Sequence, residues 1–145
     1  MSDTVKFKCF VSTTNPDATL AMEVKLNGTV VVVIPHIKQK TEISFDIPDH
    51  EAKHKLELVM SGKTHEHTKI DQDGTIVSDS LLIIDELTID DISLQAWLPD
   101  IMAYSHDFNG TQQPVVQKFF GNMGCNGTLI FEFSTPFYLW LLEQL

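Results

Sequence analysis

A β-sandwich of jelly-roll type is what this sequence predicts, and three patterns carry that prediction. Apolar and polar residues alternate along several short runs, turn residues close those runs at short intervals, and no stretch keeps the 3.6-residue period of an amphipathic helix. The fold class is therefore all-β, with a long irregular segment near the C-terminus.

Residues 1–17 read as an N-terminal arm, and Met1 to Lys8 carries no hydrophobic signal core. The first strand signal follows, where Leu20, Met22, Val24 and Leu26 alternate with Ala21, Glu23 and Lys25. Asn27-Gly28 tolerates positive φ at both turn positions and Thr29 to Ile34 is a β-branched run, so residues 20–35 form a hairpin. Ile43, Phe45 and Ile47 make the next strand, closed by Pro48; Leu56, Leu58 and Met60 make another, closed by Ser61-Gly62. Further strands fall at Thr75 to Val77, Leu81 to Ile84, Leu87 to Leu94 and Thr128 to Phe133. Residues 95–127 break the rhythm with two prolines and four glycines among aromatics, and read as a loop-rich insertion. Pro136 to Leu142 suits a final strand or a short helix opened by Thr135 and Pro136.

The 145 residues fit one domain, 1–145, with a core that holds without disulfide or metal staples. Cys9 and Cys125 are far apart and lack a C-x-x-C partner, so both read as small buried thiols. No run of about twenty apolar residues marks a membrane span. Residues 1–69 hold nine lysines against nine acids, whereas residues 70–145 hold Lys118 against eleven acids. There is no arginine, so the planar fork that grips phosphate and guanine is missing, and nucleic acid is not an expected partner.

Asp71-Gln72-Asp73-Gly74, followed by Asp79, places carboxylates on a tight turn that a hard cation such as calcium can use, or that simply solvates a turn between strands. Leu82 occupies the twelfth position, where a helix-loop-helix calcium site needs glutamate. His65-Glu66-His67 with His106-Asp107 offers a weaker option for a transition metal, against a reading as loop histidines. No G-x-S-x-G elbow, H-E-x-x-H helix, P-loop or dinucleotide fingerprint is present, so the expectation is a binding protein and not an enzyme. Asn27-Gly28-Thr29, Asn109-Gly110-Thr111 and Asn126-Gly127-Thr128 match the glycan acceptor pattern but read as turns. Trp97, Tyr104, Phe108, Phe119, Phe120, Phe137, Tyr138 and Trp140 are the candidate partner-binding residues, with core filling as the alternative for most of them.

Leu56 to Thr64, His67-Thr68, Asp71, Asp73-Gly74 and Ile89 to Ile92, with His106 to Gly110 and Gly121 to Gly127, carry a resemblance. Across residues 18–142 the chain resembles small virion-associated proteins of T4-like marine phages, cyanophages among them. Those in turn resemble calcium-dependent xylan-binding modules, jelly-roll sandwiches that hold sugar hydroxyls through a loop-bound cation. The resemblance implies a virion structural or accessory protein of a tailed phage, a capsid-decoration or tail component made in the host cytoplasm. It would bind other virion proteins at head, neck or tail, with self-association as an option at the sheet edges. The alternative it implies is a calcium-dependent, lectin-like module contacting host glycans, with Asp71, Asp73 and Asp79 as partial matches to cation ligands.

Overall fold

The structure is a computed structural model describing residues 3–63, 69–70, 72–73, 76–78, 80–107, 110 and 112–144. β1 (Thr4–Thr13) shows the rule the molecule obeys: Val5, Phe7, Cys9 and Val11 are fully buried, and the residues between them face outward. This strand pairs antiparallel with β4 (Thr41–Pro48) on one side and with β8 (Leu82–Ile89) on the other. β12 (Asn122–Met123) adds beyond β8, and β9 (Ile92–Ser93) folds back on it. Facing this sheet is a six-stranded antiparallel one. Its order is β11 (Val115–Lys118), β10 (Met102–His106), β13 (Gly127–Thr135), β5 (Ala52–Ser61), β2 (Ala21–Leu26) and β3 (Thr29–Ile34). β6 (Lys69–Ile70) and β7 (Ile76–Ser78) form a small separate ribbon.

The core lies between the two sheets. Phe7, Ile43 and Ile47 on one side meet Leu56, Leu58, Leu129 and Phe131 on the other, all essentially inaccessible. Two short helices, α1 (Leu98–Ile101) and α2 (Phe137–Glu143), close the ends. α2 is held by its rings, since Trp140 lies edge-on to Phe131 and Phe133 and stacks on Phe137 at 5.8 Å. Among the described residues no buried side-chain nitrogen or oxygen lacks a partner.

The 20–35 hairpin forms as expected, with Asn27 at φ 52° and Gly28 at φ 84° making the tight turn. Two expectations are corrected. Residues 1–17 are not an arm, because β1 is an interior strand bonded on both edges. Residues 95–127 are not a loop-rich insertion either: β10 and β11 join one sheet and β12 the other. The alternation there was hidden because the inward positions of β10 are Met102, Tyr104 and His106, two of them polar.

A third difference concerns the runs at 81–84 and 87–94. The first run and the start of the second share one strand, β8, whose register slips opposite Lys8 and Phe10, and the second ends in β9. Inward residues change parity there, from Leu82 and Ile84 to Leu87 and Ile89, and Glu86 takes φ 50°. On the edge of β8 away from β1, between its pairings with β12 and β9, the side chain of Gln95 bonds the backbone: its Oε1 accepts from Leu87 N–H at 3.0 Å and its Nε2 donates to the Ile84 carbonyl at 3.1 Å. Downstream, Asp90 and Asp91 take φ 48° and 64°, a turn that reverses the chain into β9. The acidic run from Asp85 to Asp91 is thus a bulge and a turn.

Leaving two backbone groups unpaired in a half-buried site costs about 2 kcal/mol, so Gln95→Ala is expected to lower stability by that amount in urea unfolding. The exposed control Gln112→Ala should stay within about 0.5 kcal/mol. An unchanged midpoint for Gln95→Ala would show that the amide does not cap the bulge. At Gly62, with φ 93°, an added Cβ would sit 2.0 Å from the Thr19 carbonyl oxygen. Gly62→Ala should therefore cost at least about 2 kcal/mol by the same measurement.

Candidate functional site

Where β11 turns into β12, two adjacent phenylalanines part. Phe119 enters the core fully, and Phe120 stands 75% exposed. Gly121 makes the divergence possible at φ 108°, and its carbonyl accepts from Ile84 N–H at 2.9 Å, tying the corner to β8. Beside the Phe120 ring runs a groove of about 280 Å³ lined by Tyr104, His106, Gln117, Asn122, Gly124 and Cys125 among others.

The walls of this groove are fixed by hydrogen bonds. Tyr104 Oη donates to the Cys125 carbonyl and accepts from Cys125 N–H at 2.9 Å, pinning the β12–β13 connection to β10. Burial pushes the Tyr104 phenol up to about 12, so it stays protonated and able to donate. Buried Lys63 donates from Nζ to the Gly124 carbonyl, and its backbone exchanges two bonds with the Asn126 side chain at 2.9 Å each. His106 Nε2 lies 3.0 Å from Gln117 Oε1, and its ring is 4.5 Å from that of Tyr104. The groove therefore offers one exposed aromatic face beside held planar groups, with the exposed Lys118 and no carboxylate in its lining. That chemistry suits a polar ligand with an apolar face.

A second concavity, about 650 Å³, opens between α2 and the ends of β5 and β13. Glu51, Lys53, Ser134, Leu139, Trp140 and Glu143 line it. Tyr138, Leu139 and Leu142 project from α2 into solvent nearby, and Tyr138 Oη donates to Asp90 Oδ2 at 3.2 Å.

The expected partner-binding residues divide accordingly. Phe120 and Tyr138 are exposed, while Trp97 and Trp140 are half-buried against the core. Phe119 and Phe137 are core residues, turned inward by the chain corner and by the helix packing, and Tyr104 is buried but lines the groove beside Phe120. Phe108 lies outside the described residues. Of the expected calcium ligands, Asp71 and Asp79 also lie outside them, and Asp73 is exposed. Among the described residues no three of His, Cys, Asp and Glu stand close enough to hold a metal. His65 and His67 are outside the described residues, and His106 is a buried groove residue. Cys9 is buried, its thiol pushed up to about 12 by that burial, whereas Cys125 is only half-buried at the groove wall. Gln117 and Asn122 were not singled out from the sequence, and His106 only as a metal ligand; a search by aromatics alone passes over them.

No protein-family model matches the chain, and no curated protein does. Among solved structures, the selenomethionine form of vCBM60 aligns with 88% of this chain and 89% of its own, at TM-score 0.55 and 9% identity. That structure was reported with circular permutation as an evolutionary link between two families of calcium-dependent carbohydrate binding modules. The vCBM60 complex with galactobiose aligns over 87% of this chain and 96% of its own at TM-score 0.48 and 9% identity, too loose a likeness to carry weight. At such identity the comparison establishes the sandwich fold and nothing about a ligand.

Tyr104→Phe removes both bonds to Cys125 and should cost about 2 kcal/mol, while Phe120→Ala, at an exposed ring, should stay within about 0.5 kcal/mol. Thermal or urea unfolding of the two variants checks the division between groove wall and groove mouth; the reverse order would refute it.

Proposed function

We propose that this chain is a non-catalytic carbohydrate-binding module and that the groove beside Phe120 receives the sugar. The observation that carries the reading is the exposed Phe120 ring over a groove whose walls are held by the Tyr104–Cys125 and His106–Gln117 hydrogen bonds and whose lining includes Lys118 and no carboxylate. A pyranose presents an apolar C–H face and a rim of hydroxyls, which match an aromatic face and planar amide groups respectively. The sandwich shared with a carbohydrate binding module supports the reading as an analogy of fold.

Calcium enters only as an extension. Asp71, Asp73 and Asp79 supply carboxylates on a tight turn, the residue chemistry a hard cation takes, but Asp73 alone is described.

A second reading has its own observation. Tyr138, Leu139 and Leu142 leave an apolar surface on α2 next to the larger cleft, which favours attachment to another protein. On that reading the module would sit on a larger assembly such as a phage particle, with α2 as its anchor; the virion itself comes from the resemblance of residues 18–142 alone.

Calorimetric titration with a panel of neutral oligosaccharides, galactobiose included, tests the first reading. Binding is expected, and Phe120→Ala should weaken it about tenfold, or about 1.4 kcal/mol. Absence of heat across the panel, or equal affinity in the variant, would remove the groove as the sugar site. Repeating the titration in chelator reads the extension separately: weaker binding supports calcium, and equal binding removes it while leaving the groove.

A further inference from the structure

His54 is 6% exposed, yet both ring nitrogens are engaged in a chain of hydrogen bonds that joins three separate elements. At one end, Asn27 in the β2–β3 turn exchanges bonds with Lys55: Asn27 N–H donates to the Lys55 carbonyl and Lys55 N–H donates to Asn27 Oδ1, each at 2.8 Å. With its oxygen so committed, Asn27 turns Nδ2 toward His54 Nδ1 at 3.0 Å. At the other end, His54 Nε2 lies 3.0 Å from Thr135 Oγ1, and that hydroxyl donates to the His50 carbonyl.

The directions settle the tautomer. Because the Thr135 proton goes to His50, Thr135 Oγ1 accepts from His54 Nε2–H. His54 Nδ1 is then the bare nitrogen, accepting from Asn27 Nδ2. A proton added at Nδ1 would set two donors against each other, and rotating the Asn27 amide to relieve them would take the acceptor away from Lys55 N–H. The Asn27–His54–Thr135 bonds suit a neutral ring and oppose a proton at Nδ1, although the Pro48 carbonyl and the Asp49 carboxylate favour a charged one.

We infer that His54 is an acid-operated latch: neutral, it fastens the β2–β3 hairpin turn to β5 and to the end of β13, and protonated, it lets that hairpin open ahead of the rest of the sandwich. The hairpin is the element such a latch can release, because β3 is a sheet edge paired only to β2. Val30, Val31 and Val33 are exposed along it, so opening alters the surface available to a partner strand.

The surroundings of the ring agree in sign. Burial lowers the His54 pKa below its ordinary 6.5; the Pro48 carbonyl raises it, His50 lowers it further and the Asp49 carboxylate raises it, with burial the largest of these. From β13 the ring meets Phe133 and Thr135, and from the hairpin turn Asn27, none of which carries a charge. A base held below its unfolded value contributes its full stability above pH 6.5 and loses it as pH falls from there toward the folded value.

Amide hydrogen exchange across pH 7.5 to 5, corrected for intrinsic rates, tests the latch. Protection factors for Asn27, Lys55 and the β2–β3 amides should fall by about tenfold per pH unit below the ordinary histidine value and lie below those of β1 and β8 at each pH. Asn27→Asp places a carboxylate oxygen against Nδ1 and keeps the other for Lys55 N–H. It should abolish the acid loss and move the His54 titration, followed by its ring proton shifts, above the ordinary value. Hairpin protection that does not change with pH, hairpin amides as well protected as those of β1 and β8, or an acid response in Asn27→Asp like that of the parent would each overturn the inference.

Discussion

Everything in this molecule depends on two sheets pressing their apolar faces together, and β1 is the strand that makes one of those faces continuous. Its four inward side chains, Val5, Phe7, Cys9 and Val11, lie among the fully buried residues of the core. β4 and β8 reach each other only through it. Without β1, β4 would have no partner among the described strands and β8 would keep only the two-residue strands β9 and β12, and pieces that small do not hold in water. The burial of apolar surface by the opposing sheets is the dominant favourable term, and the hydrogen-bonded ladders follow from it because buried backbone must be paired.

The slip in β8 and the corner after β11 lie together, and they shape the groove. Gln95 bonds Ile84 and Leu87 on either side of the slip at Asp85 and Glu86, and Gly121 accepts from the N–H of the same Ile84. That bond fixes the corner at which Phe119 goes in and Phe120 goes out. Tyr104 then holds Cys125, and Lys63 holds Gly124, so the groove wall is set by polar contacts with the two sheets as its scaffold. A preorganised wall reduces what a ligand must order on binding.

The sequence disclosed the fold class because alternation is a local signal: Leu20 to Ile34, Ile43 to Ile47 and Leu129 to Phe133 state their faces residue by residue. It concealed β1, because Lys6, Lys8 and Phe10 alternate with inward residues too mixed in type, cysteine among them, to stand out from an arm. It concealed β10 for the same reason, with Tyr104 and His106 as inward residues. β8 read as two strands because a bulge reverses parity, which no periodic rule anticipates. The groove was less legible still. Its residues come from β10, β11, β12 and the stretch before β13, which adjoin only once the sheets are paired. Aromatic residues in the 95–127 stretch pointed to the right region, but which of Phe119 and Phe120 faces solvent depends on Gly121 and its bond to Ile84.

The claim that β1 is an interior strand can be read directly from the exchange of its backbone amides at a single neutral pH. Those of Phe7, Cys9 and Val11 should exchange only through global unfolding, as slowly as amides of β5 and β13. Exchange of these three within the time of a free terminal segment, while β5 and β13 stay protected, would contradict the sandwich described above at its centre.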